Sequence, residues 1–421
     1  MTYRRAALAA LLGLTPGLMP GSALGTALAQ DSGQRESGDS ERMRSQTVTG
    51  TDGQTLRLTP LETFDGAWAM TFLPGGEAIV TEKGGAIWRL GRDGKKMGRL
   101  TNAPRVTARN QGGMGDFILG PDYGRGSDRT VYLSYVERDS EDDSLSGAVV
   151  ERARLLLGGT GGQLSDREII WRQSPKVTGN GHYGHRLAVS PVGSEVGDRM
   201  LMISSGERQK FTPAQNMDMN LGKMIRLNLD GSVPEDNPFY DQGGVTAEIW
   251  SLGHRNPLGI DFDADGVLWE HEMGPRHGDE LNRIVRAENY GYPEVSNGDH
   301  YSGEEIPDHS TRPEFENPAL WWDPAISPAG FVIYKSNRMP AYTGNGFIGG
   351  LSSQALVRVG FSEATVDNTG AADPDATEIV AEELGRYEWG ARIREVEQGP
   401  DGYLYVLEDQ DGRLLRLAPA E

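Results

Sequence analysis

The chain contains no cysteine. That excludes disulfides, a thiol nucleophile, a thiolate metal site and a lipid-anchored cysteine. Stability must come from a packed core, with or without a bound metal. Long helical patterns are missing as well, and there is no G-x-S-x-G nucleophile elbow. The apolar run over residues 6–14 is too short to cross a bilayer, so membrane insertion is not expected. Positive charge is scarce: 41 Lys and Arg stand against 61 Asp and Glu, a formal net charge of −20. An acidic surface of this size repels phosphate backbones, which argues against nucleic acid as a partner.

What is present begins with an export signal. Arg4 and Arg5 open a basic region, the apolar run follows, and small residues lead to Ala27-Leu28-Ala29 before Gln30. This is the layout of a secretory signal peptide over residues 1–29, which implies a periplasmic or secreted mature protein. Residues 30–49 are polar, charged and aperiodic and read as a disordered leader. Residues 50–421 are left as a single domain.

Glycine (57) and proline (23) are abundant, which suits many short strands and tight turns. One theme recurs six times: a turn such as Pro-Asp-Gly followed by a short β-rich stretch. The turns lie at Pro74-Gly75-Gly76, Gly120-Pro121-Asp122, Ser190-Pro191, Asp263 to Gly266, Thr343-Gly344-Asn345 and Pro400-Asp401-Gly402. Residues 78–80, 131–135, 200–204, 267–269, 347–349 and 403–407 are the strands they introduce. Repeats of this kind predict an all-β, six-bladed β-propeller, because one unit cannot bury both faces of its sheet alone. Two stacked β-sandwiches are the alternative. Residues 55–58 read as a strand that joins the last blade and closes the ring.

Two apparent motifs fail on context. Gly344-Asn345-Gly346-Phe347-Ile348-Gly349 matches G-x-G-x-x-G but runs into a strand, not a helix. His271-Glu272 with His277 has the wrong spacing for a zincin and spans Gly274-Pro275. The informative clusters sit in loops beside the strands: Gln111-Gly112-Gly113, residues 181–187, residues 253–257, residues 273–280 and Arg392-Ile393-Arg394. Loops at equivalent places in each blade converge on one face of a propeller, so these five are expected to form one site. Several arginines in an acidic protein suggest an anion pocket, since the guanidinium fork fits carboxylates. Arg392 and Arg394, two apart on a strand, point to one face. His182 is the natural general base. Gly274-Pro275 offers turn carbonyls of the kind Ca2+ prefers.

Taken in order, several segments resemble the soluble quinoprotein glucose and aldose sugar dehydrogenases. They are Gln111-Gly112-Gly113, His182 with Gly184 and Arg186-Leu187, Gly222-Lys223 with Arg226-Leu227-Asn228, Asp230 through Phe239, and Gly253 through Pro257. Gly274-Pro275 with Asp279 through Asn282, Asn289 through Pro293, and Arg392-Ile393-Arg394 complete the set. The resemblance runs from about Gly66 to Leu417. It implies oxidation of an aldose at C1 to a lactone, with pyrroloquinoline quinone and Ca2+ as cofactors and electrons passing to a separate external acceptor. His182 would be the base and Arg255 would stabilise charge on the reacting quinone oxygen. Gln111, Arg255, Asn256, Arg392 and Arg394 would hold the cofactor. Gly274 and Pro275 would bind Ca2+ with support from Asp279, while Glu280 and Tyr290 match a second, structural Ca2+ site.

Three positions depart from that family pattern. Gly181 stands where glucose-oxidising members carry Asp, Met273 where members carry Gln or His, and Ser352 where some place a cofactor-contacting Lys. These bear on substrate range and cofactor affinity more than on the fold. Two competing readings remain: a non-catalytic extracellular binding propeller, and a Ca2+-dependent propeller lactonase.

Overall fold

In a computed structural model, residues 43–365 and 377–420 are described. The expected signal peptide over residues 1–29 and most of the stretch read as a leader lie outside them. Among the described residues there is no α-helix, only five 3-10 turns of three to five residues. Everything else regular is strand: six four-stranded antiparallel blades, two short added strands (Gln46–Thr49 and Val177–Thr178), and a short parallel pairing between the outer strands of blades 1 and 2.

Blade 1 is Ala67–Phe72, Ala78–Glu82, Ile87–Leu90 and Lys96–Thr101. Blade 2 is Met114–Leu119, Thr130–Arg138, Leu145–Gly158 and Gly161–Arg172. Blade 3 is Gly184–Val189, Leu201–Ser205, Lys223–Leu227 and Ile249–Leu252. Blade 4 is Pro257–Phe262, Leu268–Glu272, Asp279–Arg283 and Leu320–Trp322. Blade 5 is Pro328–Ile333, Gly346–Gly350, Ala355–Thr365 and Thr377–Glu388. Blade 6 takes Ile393–Gln398, Leu404–Glu408 and Arg413–Pro419 from the end of the chain and its outer strand, Thr55–Thr63, from the beginning. The first strands of successive blades touch all the way round, from blade 1 to blade 6 and back. The expected closure by residues 55–58 is therefore observed, in register Leu56 to Pro419 and Leu58 to Leu417.

Each of the six turn-and-strand units of the sequence is the turn into a blade's second strand, followed by that strand. These strands are buried on both faces, which is why they read as short apolar runs. Side chains alternate between two interfaces. Ile79 enters the cluster between blades 1 and 2, and Val80 the cluster between blades 6 and 1. Leu404 and Val406 face blade 5, while Tyr405 and Leu407 face blade 1. The described core accordingly divides into six apolar clusters, one at each blade boundary.

One expectation needs correction. Gln46–Thr49, inside the stretch read as a disordered leader, is a strand paired with Thr55–Leu58. Its polar residues hid an edge strand in which only Val48 is buried, held by the tight turn at residues 50–53.

Candidate active site

Antiparallel pairing fixes where chemistry can gather. The first strand of each blade runs away from one face and the second returns to it. Residues just before a first strand and just after a second therefore share that face. Two adjacent cavities lie there, and these positions line them.

The larger cavity is about 430 Å3. Before first strands it takes Gly66, Gln111, Tyr183, Asn256, Ser327 and Arg392; after second strands it takes Lys83, Met273, Leu351 and Asp409, and Trp68 lines it from within the first strand of blade 1. Arg394 joins them from the last blade. Arg392 donates to Asp409 Oδ2 at 2.9 Å, and Arg394 donates to Oδ1 at 2.9 and 2.6 Å. Arg392 and Arg394 thus share a face, as their spacing predicts. Asn256 is 1% exposed, yet neither atom of its carboxamide has a partner. Buried amides are rarely left so, which makes this one a candidate ligand position. Its backbone N–H and that of Arg255 both donate to Glu272, which fixes the loop from below.

The smaller cavity, about 260 Å3, is lined by His182, Glu207, Gln209, Phe211, Arg255, Pro275, Tyr292, His300, Tyr301 and Ser302. Four aromatic or imidazole rings form its wall: Phe211 lies 5.7 Å from His300 and 6.4 Å from Tyr292, and Tyr301 is 76% exposed at the rim. His182 lines this cavity, while its neighbour Tyr183 and its bonding partner Gln111 line the larger one. The His182 N–H donates to Gln111 Oε1 at 2.6 Å, and its Nδ1 pairs with Glu207 Oε1 at 2.5 Å. Glu207 Oε2 accepts from the N–H groups of Lys210 and Phe211, so one buried carboxylate holds the imidazole and the loop that follows. With Nδ1–H committed to Glu207, Nε2 is the basic nitrogen left for a substrate. Burial, seconded by the Arg255 charge, holds the His182 pKa below its ordinary value against the pull of Glu207. The imidazole is therefore neutral at neutral pH. Arg255 Nη1 donates to the Met273 carbonyl at 2.7 Å, while its buried Nε has no partner.

The turn at Gly274-Pro275 is held by Asp279, whose two oxygens accept from Gly274 N–H at 2.9 Å and Ser327 N–H at 2.7 Å. Burial raises Asp279 to a pKa of about 6. Its role is to shape the turn rather than to line either cavity. A Cβ on Gly274 would lie 2.1 Å from the Gly278 carbonyl oxygen, so the tight path needs glycine.

The structure does not bring Glu280 and Tyr290 to these cavities. They lie between blades 3 and 4 with Glu270, Glu272, Asn282, His254 and His309. Asn282 Nδ2 donates to Glu270 at 3.2 Å and Glu280 at 3.4 Å, and the Tyr290 carbonyl faces His309 Nε2 at 3.2 Å. The Tyr290 phenol is bound elsewhere, to the Arg283 carbonyl and Val285 N–H, so only its carbonyl is available as a ligand. Glu270 and Glu280 are pushed well above the carboxylate range by burial, and next by the Glu272 charge. Glu270 Oε1, Asn282 Oδ1 and His309 Nδ1 have no hydrogen-bond partner, and His309 Nδ1 lies 3.9 Å from Glu280 Oε1. Carboxylate, amide and carbonyl oxygens buried together suit a hard divalent cation. Of the other histidines, His185 bonds Ser134, stacks on Trp68 at 4.9 Å and lines the larger cavity with it. Trp322 is buried at the blade 4–5 boundary and Trp321 is exposed.

Sequence reasoning missed Glu207, Asp409, Lys83 and the aromatic wall. The available signal was positional: three of these residues leave the second strands of blades 3, 6 and 1, just as Met273 leaves that of blade 4.

The propeller thus carries a buried histidine–carboxylate pair and two cavities on one face, one lined by cations and one by rings. The chain belongs to the glucose/sorbosone dehydrogenase family, whose description matches residues 64–416. It is 34% identical over 362 residues to aldose sugar dehydrogenase YliI of Escherichia coli K12, covering 84% of this chain and 90% of that protein. The apo crystal structure of the soluble E. coli aldose sugar dehydrogenase superposes with a TM-score of 0.75 at 34% identity, over 87% of this chain and all of that one. The pyrroloquinoline-quinone-bound aldose sugar dehydrogenase of Streptomyces coelicolor gives 0.63 at 26% identity, over 86% of this chain and 98% of that one.

Proposed function

We propose that this chain oxidises aldoses at C1 to lactones as a pyrroloquinoline-quinone- and Ca2+-dependent dehydrogenase. The observation that carries the reading is the placement of His182: oriented by Glu207 at 2.5 Å, it faces the ring-walled cavity, while its neighbour Tyr183 and its partner Gln111 line the cation-walled one. The larger cavity would hold the quinone through Gln111, Asn256, Arg392 and Arg394; the unpartnered Asn256 amide and Arg255 Nε fit that use. Gly274 and Pro275 would bind its Ca2+, and the carboxylate cluster around Glu280 would bind the structural one. When bound, the quinone with its Ca2+ serves as the acceptor of hydride from C1.

This chain's own residues would do the rest. The rings of the smaller cavity present apolar faces to the C–H faces of a pyranose. His182 Nε2 takes the proton of the anomeric hydroxyl, and Glu207 stabilises the imidazolium that results. Arg255, beside His182, stabilises negative charge at the junction of the cavities. Electrons leave to a separate acceptor. We place the mature protein in the periplasm or outside the cell, after removal of residues 1–29. Residues 50–421 constitute the catalytic propeller, with Gln46–Thr49 as its added edge.

Dye reduction by purified protein, with a panel of aldoses and with quinone and Ca2+ supplied singly, together or not at all, tests this. The expected result is activity that needs both and is lost in His182→Ala. No dye reduction with any aldose, together with no quinone binding by absorbance titration, would overturn the reading and indicate a binding propeller. Lactone hydrolysis needing only the metal would indicate a lactonase.

A further inference from the structure

Position 352, where the resemblance calls for lysine, carries no charge and does not face the cavity. Ser352 Oγ donates to the Ala325 carbonyl at 3.1 Å, and the lining residue from that loop is Leu351. Yet the cavity does have a third cation. Lys83 follows the second strand of blade 1, as Leu351 and Ser352 follow that of blade 5. Its backbone is fixed at both ends: its N–H donates to the Gly66 carbonyl at 2.8 Å and its carbonyl accepts from Met114 N–H at 2.9 Å. Its ammonium donates to the Asn110 carbonyl, beside Gln111.

The Gln111-Gly112-Gly113 motif makes room for this lysine. A Cβ on Gly113 would lie 2.3 Å from the Lys83 carbonyl oxygen and 2.7 Å from its Cγ, and Gly113 has φ +138 besides. Lining the cavity, Lys83, Arg392 and Arg394 face only Asp409 as counter-charge. That leaves a positive surplus within a chain of net charge −20, arranged for a ligand with more than one carboxylate.

We propose that Lys83 binds a carboxylate of the quinone cofactor, supplying from blade 1 the charge that position 352 does not supply from blade 5. The proposal rests on the quinone-dependent reading above. Burial, and then the nearby Arg394, hold the free Lys83 ammonium below its ordinary pKa. An anion between the two cations relieves that repulsion.

The test is absorbance titration of the Ca2+-loaded, quinone-free protein with pyrroloquinoline quinone, at several salt concentrations. Wild type, Lys83→Gln, Lys83→Arg and Lys83→Gln/Ser352→Lys are compared, with melting temperature as a control for folding. Lys83→Gln is expected to weaken binding about tenfold and flatten its salt dependence, the loss of one charge-assisted bond. Lys83→Arg should bind like wild type, and the double variant should recover part of the loss. Lys83→Gln binding as tightly as wild type with an unchanged salt slope overturns the assignment of Lys83 alone. Wild type that binds no quinone overturns the cofactor reading and this proposal with it.

Discussion

At the scale of single residues, the account depends on His182 being neutral and oriented. Its pKa is lowered from 6.5 by burial and Arg255, so activity should persist below that pH and fall only as the imidazole gains a proton. Glu207 pulls the other way. In Glu207→Gln the acid limb of the kcat profile should therefore move to still lower pH while the plateau rate drops, since the imidazolium loses its partner. A limb unchanged from wild type would mean that another group titrates. His182→Ala should lower kcat by about two to four orders of magnitude and leave quinone affinity within a few-fold. Much of this was legible: His182, Arg255, Asn256, Arg392 and Arg394 stand in motifs several residues long. Glu207, Lys83 and Asp409 are single charged residues in ordinary surroundings, and only the pairing of strands shows that they share a face with His182.

Blade 4 makes the element-scale case. Its second and third strands place Glu270 opposite Asn282 and Glu272 opposite Glu280, so strand register builds a buried acidic cluster. Glu270 and Glu280 have raised pKa values in the folded protein. Without a cation, the fold then binds more protons than the unfolded chain, and stability falls as pH rises above the ordinary carboxylate range. Ca2+ should raise the melting temperature more at pH 8 than at pH 5, because protons compete for the same oxygens. At a hundredfold excess over its Kd the gain is about 2.7 kcal/mol. Thermal melts with Ca2+ or chelator check this; equal shifts at both pH values would place the ion elsewhere. From the sequence, Glu280 was visible only through resemblance. Glu270 stood in no motif and Glu272 only in the rejected His271-Glu272 pair; that the two share a face follows from their spacing of two on a strand.

For the whole molecule, the six repeats announced the propeller because every second strand is buried on both faces and every turn into it needs glycine, proline or aspartate. The edge strand Gln46–Thr49 stayed hidden, since three of its four residues are exposed. Ring closure concentrates stability where the two ends of the propeller meet. Leu56 and Leu58 are fully buried in the strand that the beginning of the chain lends to blade 6. Leu58→Ala should cost about 3 kcal/mol, read from denaturant unfolding. A loss no larger than that of a surface substitution would show that blade 6 does not need this strand. The described residues contain no helix long and apolar enough to cross a membrane. The central claim is that hydrogen leaves C1 of an aldose while His182 takes the hydroxyl proton. Its most direct test is single-turnover reduction of the quinone-loaded, Ca2+-loaded protein by an aldose carrying deuterium at C1. The account predicts a clear primary isotope effect with the C1-deuterated sugar and none with deuterium at C2. A C2 effect, or no reduction of the bound quinone by any aldose, would contradict it.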